Sequence, residues 1–337
     1  PEERQMAHRV LELYSGIGGM HCAWTEACIQ GDVVGAVDIN PVANEVYQHN
    51  FPGTNLLNRN IQSVTVKDIK KMNVDTILMS PPCQPFTRNG KYLDDNDPRT
   101  NSFLYLINII EELVNIEYIL MENVKGFENS TVRNLFIEKL KVCNFDYQEF
   151  LLCPSTFAVP NSRLRYYCIA RRNSLTWPYK KKDEIISQPP TDYGAPYSLA
   201  SILEENISEV FLVPDKRLKC ANVMDICYKD SKNTNCFTKA YTHYIEGMGS
   251  VYTDMSPDIV KQCIKNANNY ETGSINFIET IKELKLRFFT PKEVLSLMTF
   301  PKDYSFPENT SMKQRYRLLG NSVNVKVISE LLKILFL

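Results

Sequence analysis

A chain of 337 residues with ordinary hydrophobic (44%) and charged (23%) fractions is long enough for one large globular domain and a smaller one. Its formal net charge of −1 argues against coating nucleic acid by bulk positive charge, while a local basic cleft stays open. Ten cysteines without C-x-x-C pairs and four scattered histidines argue against a disulfide framework and a structural metal, and no apolar run is long enough for a membrane span. The opening Pro1-Glu2-Glu3-Arg4 does not read as a secretion signal, so the expected setting is reducing, cytoplasmic and nuclear.

Residues 9–14 read as a strand, Ser15-Gly16-Ile17-Gly18-Gly19 as a tight turn, and residues 20–29 as a helix. Residues 33–37 form a second strand ending at Asp38-Ile39, and Pro41 opens another helix, since proline suits the first helical turn. A strand, a glycine turn, a helix and an acid about 20 residues on are the layout of a Rossmann-type nucleotide site. The glycines let the backbone approach a ligand, and Asp38 can accept hydrogen bonds from a ribose. The Gly-x-Gly-Gly spacing is not the full dinucleotide fingerprint, so nothing demands a pyrophosphate. A cofactor with adenosine but no phosphates fits at least as well, and S-adenosylmethionine is the common one.

After a third strand end near Asn60-Ile61 and a helix through Met72, a short apolar strand over 75–79 leads into Ser80-Pro81-Pro82-Cys83-Gln84-Pro85-Phe86-Thr87. A thiol directly after a strand sits at the edge where open α/β sheets place ligands. The flanking prolines keep the loop stiff and extended. From this stretch alone Cys83 is either an inert buried thiol or a reactive one. Residues 90–98, acidic and rich in turn formers, suit a mobile lid. Residues 101–115 read as a helix with a buried face, its apolar residues being Phe103, Leu104, Leu106, Ile107, Ile110 and Leu113.

A fifth strand, 118–121, delivers Glu122-Asn123-Val124 to the edge that also carries Asp38 and Cys83; a carboxylate there is costly unless used or paired. Residues 149–152 and 164–170 read as two further strands. Arg163 and Arg165 point the same way and either serve an anionic substrate or pair with acids. Other candidates for a basic cleft are Arg171-Arg172, Lys180-Lys181-Lys182, Lys313, Arg315 and Arg317. From about Trp177 prolines, lysines and polar turns replace the strand–helix rhythm, giving a linker near 178–190 and a smaller unit of weak periodicity to about 285. Within it, Cys236-Phe237-Thr238-Lys239 and the aromatic run 241–252 suit a surface that holds unstacked bases or, equally, a small core with turns. Thr290-Pro291-Lys292-Glu293 starts a well-capped helix, and a last amphipathic helix follows Gly320-Asn321-Ser322-Val323.

Six stretches in this order over nearly the whole chain resemble the cytosine-C5 methyltransferases. They are Leu13-Tyr14-Ser15-Gly16-Ile17-Gly18-Gly19, Asp38-Ile39, Pro81-Pro82-Cys83-Gln84, Glu122-Asn123-Val124, Arg163-Leu164-Arg165 and Gly320-Asn321-Ser322. Cys236-Phe237-Thr238 and the long run from Ser80 to Thr87 look like the tRNA-aspartate branch, historically called DNA methyltransferase homologue two. The resemblance implies an α/β, class I S-adenosylmethionine-dependent methyltransferase fold. That fold is a Rossmann-like, mostly parallel sheet with helices on both faces and an antiparallel last hairpin, plus a smaller target-recognition domain. The expected division is 1–188 for the catalytic domain, 189–286 for target recognition, and 287–337 for a hinge and return to the catalytic domain.

The activity implied is methyl transfer from S-adenosylmethionine, leaving S-adenosylhomocysteine, to carbon 5 of a cytosine in the tRNA anticodon loop, cytosine 38 of tRNA-Asp. By resemblance, the Cys83 thiolate attacks carbon 6 and turns the ring into an enamine able to take the methyl group. Glu122 contacts N3 and the exocyclic amine, a role helped by a raised pKa, and Arg165, with Arg163 nearby, binds the base carbonyl or a phosphate. Leu13, Ser15, Gly16, Ile17, Gly18 and Gly19 flank the amino acid part of the cofactor, Asp38 its ribose, and Ile39 its adenine. Asn60, where much of the family has Asp, is expected at the adenine amine beside Ile61; Ser80, Pro82, Asn321, Ser322 and Val323 complete the cofactor set. Cys236, Phe237, Thr238, Lys239 and Tyr241 are expected at the substrate, with Ala240, His243 and Met248 as departures in the same run. The chain is expected to act as a monomer, without metal or membrane.

Three readings compete: the same chemistry on DNA, a nucleic-acid-binding protein of the same fold with little activity, and a nicotinamide oxidoreductase. The last leaves Cys83 and Arg165 without a role.

Overall fold

Alternation of apolar side chains along the strands sets the layers. Leu11, Leu13, Ile77, Met79, Ile119 and Met121 join one buried cluster, and Val10, Leu78 and Leu120 the other. That two-residue period marks a sheet covered on both faces. The protein is described here by a computed structural model covering residues 7–82, 101–177, 182–243 and 249–336. Cys83, Gln84, residues 90–98, Lys180, Lys181 and Met248 lie outside the described residues.

The first part of the chain runs β1 (His8–Leu13), α1 (Gly19–Ala27), β2 (Gly31–Asp38), α2 (Pro41–Asn50), β3 (Asn55–Asn58), α3 (Val66–Met72) and β4 (Thr76–Met79). It continues with α4 (Asn101–Ile109), β5 (Tyr118–Val124), α5 (Thr131–Val142), β6 (Phe145–Leu152) and β7 (Arg165–Arg172). The strands form one sheet in the order β3-β2-β1-β4-β5-β7-β6. Pairing is parallel from β3 to β5, whereas β7 runs antiparallel to both β5 and β6. The order reverses between β1 and β4, the point where an open α/β sheet leaves a crevice at its carboxyl edge. Helices α3, α4 and α5 cover one face, and α1 and α2 the other. As its sequence suggested, α2 starts at Pro41, with Asn40 accepting from the N–H groups of Val42 and Ala43.

Helix α4 stops at Ile109, short of the expected end at residue 115, although Ile110 and Leu113 stay buried. Arg172 takes the carbonyls of Leu113, Val114, Ile116 and Cys143, so those backbone groups are satisfied outside a helix. The apolar pattern therefore outlasts the helix itself.

The second part runs α6 (Asp215–Leu218), β8 (Asp225–Cys227), β9 (Ser250–Tyr252), α7 (Pro257–Ala267), α8 (Ile275–Lys282) and β10 (Arg287–Phe288). The chain then ends with α9 (Pro291–Leu297), α10 (Met312–Asn321) and α11 (Val325–Phe336). Strands β10-β9-β8 make a small sheet, and α7 and α8 each bury one face through Val260 and Cys263 or Phe277 and Ile281. The strands are two or three residues long, too short to show a period, which is why this unit read as weakly patterned. Its core is continuous with the α1 and α11 face of the large sheet.

Phe237 and Tyr241 lie in that core. The Tyr241 ring stands edge-on to Phe237 at 4.8 Å and to Tyr316 at 5.3 Å. Its hydroxyl donates to the Ser250 carbonyl and accepts from the Phe289 N–H at 3.0 Å. For Phe237 and Tyr241 the structure therefore gives the core. The rings of Phe237 and Tyr241 offer no face to a base.

Candidate active site

The carboxyl ends of β1, β2, β4 and β5, the start of β7 and the turn after α10 enclose a cavity of about 330 Å³. Its inner end is the glycine turn. Gly16 and Gly18 have φ of 52° and 83°, a conformation that a side chain would strain. A Cβ on Gly16 would meet nothing within 4 Å, whereas one on Gly19 would lie 2.7 Å from Val323 Cγ2. Gly16 thus borders open space, and Gly19 lets the turn close against Ser322 and Val323.

Asp38 ends β2 beside this turn and accepts from the Gly16 and Asn40 N–H groups, each at 2.8 Å. Burial raises its pKa, and those backbone donors oppose the rise. Ile39, next in sequence, is 65% exposed and lines the cavity, an apolar surface waiting for a flat ligand. Ser15 Oγ is buried there without a partner.

At the outer end Glu122 sits on β5 with Oε1 3.5 Å from Arg165 Nε, because β5 and β7 pair Val124 with Arg165. Burial raises the Glu122 pKa, and the guanidiniums of Arg165 and Arg163 offset only part of that. The raised pKa favours the protonated form, in which the carboxyl can donate a hydrogen bond. Cys236 Sγ lies 3.4 Å from Arg163 Nη1 and 3.8 Å from Arg165 Nη2. Burial pushes this thiol up, but the two cations outweigh it and hold its pKa below the usual value.

The sequence of the C-5 cytosine-specific DNA methylase family matches residues 8–336. The chain belongs to that family. It is 72% identical over 331 residues to the tRNA (cytosine(38)-C(5))-methyltransferase of Spodoptera frugiperda, covering 98% of this chain and 100% of that one. Identity to the human protein of the same description is 40%, covering 97% of this chain and 99% of the other. A crystal structure of a Spodoptera frugiperda DNMT2 triple mutant superposes with a TM-score of 0.93 at 71% identity, over 98% of this chain and 100% of that one.

S-adenosylmethionine is the methyl donor that membership of this family implies, and the inner cavity fits it. The open space beside Gly16, the unpartnered Ser15 hydroxyl, the Asp38 carboxylate and the exposed Ile39 follow one another along its wall. Of the expected cofactor residues, Ser15, Gly16, Ile17, Gly19, Asp38, Ile39, Ser80, Pro82, Asn321, Ser322 and Val323 line the cavity. Leu13 and Ile61 are buried in the core, and Gly18 packs against Phe51. Asn60 caps the turn at 61–63 by accepting from the Gln62 N–H.

Glu122, Arg163 and Arg165 line the outer end, while Thr238 and Lys239 abut Gly320. Arg171 and Arg315 spend their guanidiniums on backbone carbonyls, as Arg172 does, so these arginines form no basic cleft.

Two of the cavity residues without an expected role are Glu12 and Gly320. Glu12 is 1% exposed in the middle of β1, where it accepts from the Tyr47 hydroxyl at 2.9 Å. A carboxylate inside the apolar run Val10-Leu11-Glu12-Leu13 was the available signal, the same cost that singled out Glu122. Gly320 was quoted within a motif without a role; its missing side chain lets α10 meet the backbone of Thr238 and Lys239.

Proposed function

We propose that this chain transfers a methyl group from S-adenosylmethionine to carbon 5 of cytosine 38 in the anticodon loop of a tRNA, tRNA-Asp in the first instance. The observation that carries the reading is that a nucleoside cradle and the Glu122–Arg165 pair open into one cavity. The activity for which these relatives are named favours tRNA over DNA.

The donor supplies an electrophilic methyl group on a sulfonium. The remaining work falls to the chain's own residues. Cys83 is the nucleophile that would add to carbon 6 of the cytosine, making carbon 5 electron-rich, and its thiolate would leave again once methylated carbon 5 loses its proton. Glu122, with its raised pKa, would hold a proton at N3 and so neutralise the charge that builds on the ring during that addition. Arg165 would keep Glu122 in place and offer a donor to the base carbonyl. A base in an anticodon loop is already unpaired, so exposing it to the cavity costs less than in a duplex.

The test is transfer of labelled methyl to a tRNA-Asp transcript, to the same transcript with cytosine 38 replaced, and to duplex DNA, with Cys83→Ala beside wild type. Label in the first substrate alone, lost in the variant, is expected. Equal label in the cytosine-38 variant, or transfer by Cys83→Ala, would overturn the reading.

A further inference from the structure

We propose that Arg163 is a positioning residue that couples the cofactor end of the cavity to the base end and makes no contact with the base. This deepens the methyltransferase reading above and rests on it. A guanidinium has five N–H groups. In Arg163, Nη1 donates to the Phe237 carbonyl at 3.3 Å and to Cys236 Sγ at 3.4 Å. Nη2 donates to the Gly320 carbonyl at 3.2 Å and to the Ser322 carbonyl. The fifth group, on Nε, is buried without a partner, and the residue as a whole is 5% exposed. Four of its five donors are therefore committed to the protein. Arg165 is placed differently, with Nε turned to Glu122.

The acceptors belong to two segments. Cys236 and Phe237 lead directly into Thr238 and Lys239, whose backbone packs on Gly320 so closely that a side chain there would collide with it. Ser322 leads into Val323, which seats the glycine turn through Gly19. One continuous path thus runs from the turn to Ser322 and Val323, through the planar Arg163 fork, to the segment 236–239. A rigid fork with donors on both edges can transmit a displacement between these segments; a lysine, with a single ammonium on a flexible stem, cannot hold all four acceptors. Filling the cavity behind Ser322 should then change affinity for RNA at 236–239, and by thermodynamic reciprocity RNA should change affinity for the cofactor by the same factor.

The experiment measures binding of a tRNA-Asp transcript with and without saturating S-adenosylhomocysteine, together with kcat and both KM values. Wild type, Arg163→Lys, Arg165→Lys and Gly320→Ala are compared, and melting curves confirm folding. Wild type should bind RNA more tightly with the nucleoside present, and Arg163→Lys should abolish that enhancement. Its KM values for both substrates should rise about tenfold or more, as expected for losing charge-assisted hydrogen bonds, with kcat within about threefold of wild type. Arg165→Lys should show the opposite split, a lower kcat with little change in KM. Gly320→Ala keeps Arg163 but pushes 238–239 away, and should also lose the enhancement.

No enhancement in wild type, an enhancement kept in folded Arg163→Lys, or a fall confined to kcat in that variant would overturn the proposal. If Arg163→Lys does not fold, an enhancement kept in Gly320→Ala overturns it instead. Wild type that binds RNA and nucleoside cooperatively but transfers no methyl would sink the activity reading and leave the coupling standing.

Discussion

Glu12 gives the most direct handle on the electrostatics of the cavity floor. Its carboxyl accepts from the Tyr47 hydroxyl and from the N–H groups of Met20 and His21, yet burial still raises its pKa from 4.5 to about 8. The unfolded chain releases this proton near 4.5, and the folded protein holds it until about 8. The group's contribution to stability is therefore fully present below the unfolded value and is lost as pH rises through the folded one. At about 1.4 kcal/mol per pH unit, the loss at pH 7 relative to acidic solution is about 3 kcal/mol. Glutamine keeps the size of the protonated carboxyl, with an accepting oxygen and a donating NH2 in place of the O–H, and does not titrate. Glu12→Gln should therefore melt within about 1 °C of wild type at pH 5 and clearly above it at pH 7. For a chain of this size the gap at pH 7 should be about 5 °C. Scanning fluorimetry of both ligand-free proteins across pH 5 to 8 reads the difference, and other titrating groups cancel between them. Parallel curves, or a variant that melts lower at every pH, would refute the reasoning.

Two further outcomes follow from close contacts. Gly19→Ala places a Cβ 2.7 Å from Val323 Cγ2 and 3.1 Å from Ser322 Oγ, so calorimetric affinity for S-adenosylhomocysteine should fall about tenfold or more; unchanged affinity would mean that the turn after α10 is not the cavity's closing wall. Arg287 and Glu293 pair through two contacts of 2.8 Å with Glu293 fully buried, so Glu293→Gln should cost about 3–5 kcal/mol in urea unfolding. Adding Arg287→Met should recover part of that, since it removes the stranded charge, and a double variant as unstable as the single would contradict this account.

The large sheet was legible because its strands carry a period of two and its glycine turn, Asp38, Glu122 and arginine motif have fixed places on a doubly wound sheet. The wall of the cavity was legible for the same reason, since open α/β sheets form their crevices at strand ends whatever the loops do. Less legible were residues whose role depends on partners far along the chain. Phe237 and Tyr241 are aromatic whether they stack on a base or on Phe289 and Tyr316, and composition does not separate the two. Leu13 lies one position off the wall, on the side of the strand that faces the core, and Ile61 is buried in that core away from the wall. Arg163 carries the same charge as Arg165 but finds its acceptors at Phe237 and Ser322, a meeting that only the tertiary fold creates.

The reversed strand β7 makes that meeting possible. In a parallel sheet the first residue of a strand lies at the edge opposite the ligand site. A parallel β7 of eight residues would carry Arg165 roughly 23 Å from the carboxyl edge, well beyond the screening length in physiological salt. Because β7 is antiparallel, Arg165 pairs with Val124 and its guanidinium lies 3.5 Å from Glu122. The cation offsets part of the rise that burial imposes on Glu122. The same reversal brings Arg163, just ahead of the strand, between the small sheet's Phe237 segment and the turn after α10. Parallel strands thus build the glycine-turn end of the cavity, and the reversed β7 builds the Glu122 end. The distance between the two ends is then set by strands already locked in register, which the mobile substrates do not have to establish for themselves.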